Sequence, residues 1–314
     1  MQKGIIGAII GDIVGSRFEW ANNRSTEFDF FTDVNKFTDD TIMTCAVADW
    51  LVNGDNLVDE LRLWAKKYPK AGYGGKFKDW VFAKNVEPAY GSYGNGSAMR
   101  VSPIGFYAQN IDEAMILAEK SAEVTHNHPE GIKGAQAIAV AIFLARKGLP
   151  KSFIKDAIEQ WFDYDLDRKL DDIRPSYKFD ATCQGSVPEA IIAFLESEDY
   201  ESAVRLAVSV GGDSDTIACI TGGIAAAYYG IPDDIVNKAM KYLKEDVRYS
   251  LEVFNCIADS RVISDEEIDL DDEVIFAEDE LYDINGLVDL DDDIFGDIDE
   301  EILREIEDFE GGKK

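Results

Sequence analysis

Apolar residues recur every three to four positions along most of the first 258 residues, the spacing that lines one face of an α-helix. In NLVDELRLWAKKY the residues Leu57, Val58, Leu61, Trp64 and Ala65 form one stripe, and in ESAVRLAVSV the residues Ala203, Val204, Leu206, Ala207 and Val210 form another. EGIKGAQAIAVAIFLARKG is apolar nearly all round, carries Arg146 and Lys147 in its last turn, and is followed by Gly148. That combination reads as a buried helix with an ordinary C-terminal stop. TIACITGGIAAAYYGIP reads as a second buried helix, ended by Gly230 and Pro232. No run alternates as a strand does, and no internal repeat emerges. The pattern predicts an all-α body of many helices around a central apolar set.

Three segments break the periodicity with glycine and polar residues: 33–40, 91–105 and 181–187. Loops of this kind on a helical scaffold are where chemistry tends to sit. A long polar connection between 162 and 184 reads as a rim or lid.

Charge divides the chain. Residues 259–314 hold 24 acidic and 4 basic side chains, which leaves 38 and 27 in residues 1–258, so the tail carries −20 and the body −11 of the total −31. The expected organisation is a folded domain over 1–258 and an acidic tail over 259–314, disordered or partly helical. The tail does not contain a calcium loop, because Ile294 follows Asp289, Asp291 and Asp293 where glycine is required. Such a surface disfavours binding to a nucleic-acid backbone, while a basic partner would suit the tail. Cys45, Cys183, Cys219 and Cys256 have no paired zinc spacing. No apolar run reaches the roughly 18 residues of a membrane span. The short N-terminal apolar run is interrupted by Asp12. The chain is expected to be cytoplasmic.

Two clusters carry the candidate chemistry. FTDDT places Thr38, Asp39 and Asp40 before a helix, and GGDSDT places Asp213, Asp215 and Thr216 before another. Each cluster alone reads as a helix cap with acids favoured by the positive helix end. If the two starts meet, four carboxylates converge and repel one another unless cations relieve them. With no His or Cys in either cluster the donors are all oxygen, which suits Mg2+ or Mn2+, and two ions about 3.5–4 Å apart would be served. GAIIGDIVGSRFEW spaces glycines at 4, 7, 11 and 15 along one smooth helix face, and Glu19 follows as a candidate acid or water-orienting group. YGSYGNGSAMR can turn backbone N–H groups toward an anion. Of the two histidines, His126 is placed to donate to a phosphate or ribose, and His128 to cap the next helix.

Taken together, GAIIGDIVGSRFE, FTDDT, YGNGSAMRVSPIG, the Thr125–His126 pair and GGDSDTIA resemble the ADP-ribosylglycohydrolase family, the relatives of dinitrogenase reductase-activating glycohydrolase, over roughly residues 4–232. The resemblance implies an all-α orthogonal multi-helix bundle with a binuclear Mg2+ or Mn2+ site whose ligands are Thr38, Asp39, Asp40, Asp213, Asp215 and Thr216. It implies that Glu19 lies near the substrate ribose, and that Ser92, Tyr93, Gly94, Asn95, Gly96 and Ser97, with His126, hold the diphosphate and distal ribose. Glu19, Asp39, Asp40 and Asp213 are the candidates for orienting or deprotonating water. The implied reaction is hydrolysis of the glycosidic bond between ADP-ribose and an acceptor, on an ADP-ribosylated protein or a small ADP-ribosyl compound. Two other classes stay open: a non-catalytic ADP-ribose-binding or regulatory relative, and an interaction protein acting through its tail.

Overall fold

A computed structural model describes residues 4–54, 56–264 and 268–270. Most of the acidic tail therefore lies outside the described residues. Within them the chain forms fifteen α-helices and no sheet, with an isolated β-bridge between Gly94 and Thr182.

The organising contact is between two helices, Ile6–Gly15 and Ser214–Tyr229. All ten residues of the first are buried, including Ile6, Ile9, Ile10 and Ile13, each contributing about 1.5–3 kcal/mol by leaving water. The predicted glycine face is what lets the two backbones touch. A Cβ at Gly7 would stand 2.6 Å from the Gly222 carbonyl oxygen, and one at Gly11 would stand 1.9 Å from that of Ala218. At Gly15 the nearest atoms belong to the backbone of Ser214 and Asp215. The crossing thus delivers the first turn of the Ser214–Tyr229 helix to the end of the Ile6–Gly15 helix.

The other predicted helices form as Asp39–Asn53, Leu57–Lys67, Pro129–Lys147 and Tyr200–Val210. The first of these is capped by the Thr38 side chain, which accepts from the Asp40 N–H, and it stops at Gly54 in the left-handed region. His128 caps Pro129–Lys147 by accepting from the Glu130 N–H, and Gly148 ends that helix at φ +84°. Two of the expected loops are more ordered than their composition implies. Residues 91–105 contain short helices at Gly96–Met99 and Ser102–Tyr107, and the helix Cys183–Glu196 begins inside 181–187. Thr182 caps it by accepting from the Gly185 N–H. The polar connection from 162 to 184 holds one short helix, Leu170–Ile173, and is anchored by buried Tyr164, Leu166, Leu170 and Ile173.

Helix Glu245–Ser260 runs past the expected boundary at 258. Of the described residues beyond it, 261–264 and 268–270 lie on the body: the Arg261 guanidinium is 3.8 Å from the Tyr107 ring centroid, the Ser264 N–H donates to the Gln109 carbonyl at 2.8 Å, and the Gln160 amide donates to the Leu270 carbonyl at 2.8 Å. No described helix is long and apolar enough to cross a membrane.

Candidate active site

The two Asp–Thr clusters meet. Asp40 and Asp215, far apart in sequence, stand with Asp12 so that one carboxylate oxygen from each lies within 4.8 Å of the others. Glu19, Asp213 and Asp215 form a second such group. Asp215 belongs to both. Thr216, from the second cluster, donates to Asp40 of the first at 3.3 Å.

The helix starts explain the placement. Asp213 occupies the cap position of the Ser214–Tyr229 helix, yet its side chain makes no capping bond. Its Oδ2 instead accepts from the Asn95 amide at 2.8 Å, which ties the glycine loop to the carboxylates. Gly211 and Gly212, at φ +75° and +68°, turn the chain into this position as L side chains rarely can.

Asp12 is the member that the sequence pattern undervalued. Its carboxylate accepts from the Thr38 N–H at 2.8 Å, the Thr38 hydroxyl at 2.8 Å and the Thr41 N–H at 3.1 Å, and also from the Thr41 hydroxyl. With both oxygens so engaged, it is a fixed anion that orients the Thr38–Asp40 turn. The one hint in the sequence is that it is an isolated acid inside an apolar helix, which burial tolerates only with partners.

Burial dominates the electrostatics. It pushes the Asp12 carboxyl up to about 6 and that of Asp39 up to about 8, the charge on Asp12 adding to the latter. Asp40 and Asp215 are pushed further up, by burial first and then by neighbouring carboxylates. Glu19, half-buried, is raised by burial and by Asp213. Two oxygens inside this cluster, Asp40 Oδ1 and Asp215 Oδ1, are buried without a hydrogen-bond partner. Orphaned acceptors among crowded carboxylates are what a bound divalent cation satisfies, and the donor set is the hard, all-oxygen set of such an ion. The residues fit a metal.

The carboxylates form one end of a cavity of about 480 Å³. Glu19, Asp39, Asp40, Asp213, Asp215 and Thr216 line it, and so do Ser92, Gly94, Asn95, Gly96 and His126. Asp39 faces Gly72, with Oδ1 2.8 Å from where a Cβ there would stand, outside both three-carboxylate groups. Three expected site residues lie elsewhere. Thr38 sits beneath the carboxylates, donating to Asp12. The Ser97 hydroxyl donates to the Gly131 carbonyl at 2.7 Å, away from the cavity. Tyr93 is 48 % exposed and packs edge-on against His128.

The sequence reading also passed over several wall residues. Tyr73, Phe77 and Tyr90 give the cavity an aromatic side, and Arg100 lines it as a fully buried cation. At its rim Trp20, 82 % exposed, stacks on Phe179 at 5.4 Å. Tyr90, Arg100 and Trp20 fall inside or at the ends of the quoted motifs, whereas Tyr73, Phe77 and Phe179 do not, and only the fold reveals their convergence.

Comparison with known proteins agrees with this geometry. The sequence profile described as ADP-ribosylglycohydrolase matches residues 1–266. The human ADP-ribosylhydrolase ARH3 is 27% identical over 77% of this chain and 90% of its own length. ARH3 of Gallus gallus is 30% identical over 62% of this chain and 70% of its own. The ADP-ribosylarginine hydrolase Tri1 of Pseudomonas putida is 22% identical over 73% of this chain and 70% of its own. A solved structure titled ADP-ribosylglycohydrolase-related protein complex shares the fold, with a TM-score of 0.60 at 22% identity, covering 81% of this chain and 96% of that one. The chain belongs to the ADP-ribosylglycohydrolase family and is a glycosidic-bond hydrolase.

Proposed function

We propose that this protein hydrolyses the bond between the ribose of ADP-ribose and an acceptor, using a pair of Mg2+ or Mn2+ ions held by Asp40, Asp213, Asp215 and Thr216, with Asp39 beside them. The observation that carries this reading is the pair of three-carboxylate groups sharing Asp215, with unpartnered oxygens on Asp40 and Asp215. When bound, the ions would supply Lewis-acid polarisation to oxygens of the substrate.

The chain's own residues account for the remaining work. Glu19 borders both the carboxylates and the cavity. It orients water toward the anomeric carbon and takes a proton from it. Cleavage builds oxocarbenium-like positive charge on the ribose, which the surrounding carboxylates favour. Along the adjoining wall, the Gly96 N–H and His126, with the Arg100 charge beside them, hold the diphosphate. Substrate anion and substrate cation-to-be thus meet walls of opposite sign in one cavity. The substrates would be ADP-ribosylated proteins or small ADP-ribosyl compounds.

The test is hydrolysis of ADP-ribosylated arginine and serine peptides, before and after exhaustive EDTA treatment and Mn2+ restoration. Release of ADP-ribose that EDTA stops and Mn2+ restores is expected. Turnover that survives EDTA unchanged would refute the metal role, and no release from any acceptor would refute the activity. Asp40→Asn should abolish turnover while leaving the helical circular-dichroism signal intact.

A further inference from the structure

The anion-holding end of the cavity contains a hydrogen-bond chain that determines which nitrogen of His126 carries the proton. Arg100 is fully buried, and among the described residues no carboxylate pairs with it. Its Nη2 donates to the Ser121 carbonyl at 2.5 Å and to the Thr125 hydroxyl oxygen at 3.0 Å. The same Thr125 oxygen lies 2.7 Å from His126 Nδ1. A threonine hydroxyl has one proton to give. Its oxygen can accept twice, but among the described residues Nδ1 is the one acceptor paired with the hydroxyl, so the proton that Arg100 cannot take goes to Nδ1. Nδ1 is then an acceptor, and the ring proton sits on Nε2.

Nε2 points at the glycine loop. A Cβ at Gly96 would stand 3.0 Å from it, and one at Gly94 would stand 3.7 Å away. At Gly96 a side chain would crowd this approach, whereas at Gly94 it would make only ordinary contact with the ring. Among the described residues no side chain accepts from Nε2, and His126 lines the cavity. Burial, helped by the Arg100 charge, keeps the imidazole neutral by lowering its pKa well below the ordinary value, so the tautomer is a real choice between two nitrogens.

We propose that Arg100 and Thr125 are positioning residues that lock His126 in its Nε2–H tautomer, so that the ring donates to an anionic oxygen of the substrate beside Gly94 and Gly96. For the identity of that anion, the diphosphate, this rests on the ADP-ribose reading above; the tautomer itself does not. The uncompensated guanidinium serves twice: it polarises the hydroxyl toward the ring, and it adds positive potential to the wall of the cavity that it lines.

Histidine-selective 15N labelling of the full chain gives two imidazoles, and His128→Asn assigns them while keeping a helix cap. Long-range 1H–15N correlation at neutral pH should show His126 protonated on Nε2 alone. Thr125→Val keeps the shape and removes the relay; it should release the ring to a mixture of tautomers and weaken ADP-ribose binding about tenfold. In turnover the loss should fall on KM more than on kcat. Thr125→Ser should restore both, and it also serves if the valine variant fails to fold, together with Arg100→Lys, which keeps the charge and loses the fork. A wild-type proton on Nδ1, or an Nε2–H tautomer that persists in Thr125→Val, would overturn the relay. Unchanged ADP-ribose affinity in Thr125→Val would overturn the donation. A correct tautomer in a protein that releases no ADP-ribose would sink the activity alone.

Discussion

Gly11→Ala is the substitution with the largest predicted consequence for its size. The added methyl would lie 1.9 Å from the Ala218 carbonyl oxygen, 2.4 Å from its carbon and 2.8 Å from the Cys219 nitrogen, where ordinary contact begins at about 3.4 Å. These atoms are main chain inside a helix, so no rotamer change relieves the clash. The Ile6–Gly15 and Ser214–Tyr229 helices must part by roughly 1.5 Å. Overpacking of this kind costs typically 1–3 kcal/mol, and rigid backbone on both sides puts it at the upper end. Against that, alanine gains up to ~1 kcal/mol from helix propensity and lower unfolded-state entropy. The net expectation is a destabilisation of about 2 kcal/mol. The site should feel it as well, because the same crossing sets Asp12 against Asp215. Urea unfolding followed by far-ultraviolet circular dichroism measures the first effect, and calorimetric titration with Mn2+ the second. Gly75→Ala is the control, having nothing within 4 Å of the new methyl. A Gly11→Ala protein with wild-type midpoint and wild-type Mn2+ affinity would refute the idea that this backbone contact builds the site.

Other expectations follow from the same geometry. Asp12→Asn would turn an amide toward donors that now face a carboxylate; losing charge-assisted bonds at a buried site should cost about 2–4 kcal/mol in urea unfolding and lower Mn2+ affinity. In the metal-free protein, Asp12 and Asp39 titrate near about 6 and about 8 when folded, against about 3.9 unfolded. The folded state therefore holds protons that the unfolded state releases. Their stabilisation is full below the unfolded value and is lost as pH rises through the folded ones. Melting temperature should thus fall between about pH 4 and about pH 8 in EDTA, and saturating Mn2+ should flatten or reverse the slope, because metal binding needs ionised ligands; a flat EDTA profile would contradict the buried-carboxylate picture. Away from the site, Lys151 donates to the carbonyls of Phe194, Leu195 and Ser197 at 2.7, 3.1 and 2.6 Å, and lies 4.9 Å from the Phe194 ring. Lys151→Met should destabilise the fold by about 2–3 kcal/mol without changing KM, and an unaltered melting curve would show that this helix end needs no cation.

Much of this was legible in the residues. Helices with an apolar stripe or an all-apolar run announce themselves, because their own side chains carry the period. The Asp39–Asn53 and Ser214–Tyr229 starts were equally visible, since caps and acids at a helix N-terminus are local chemistry. What stayed hidden depends on distance. Asp12 looked like a break in an apolar run, and only its four donors from Thr38 and Thr41 give it a role. Nothing in the sequence places Arg100, the last residue of YGSYGNGSAMR, against Thr125, or Trp20 against Phe179. Ser97 and Tyr93, read as part of an anion-holding loop, face elsewhere: Ser97 sits in the short Gly96–Met99 helix with its hydroxyl on the Gly131 carbonyl, and Tyr93, before that helix, packs against His128. The polar stretch from 162 to 184, read as a rim or lid, brings Phe179 and Ala181 to the cavity, while its few apolar residues pin it to the body.

The central claim is that Asp215 serves two cation sites at once. Calorimetric titration of Mn2+ into the metal-free wild type and into Asp215→Asn tests it most directly. The account predicts two ions per wild-type chain, and a variant that keeps its helical signal while binding at both sites weakens together. A wild type that takes up no Mn2+, or an Asp215→Asn chain that still takes up two ions with undiminished affinity, would contradict it.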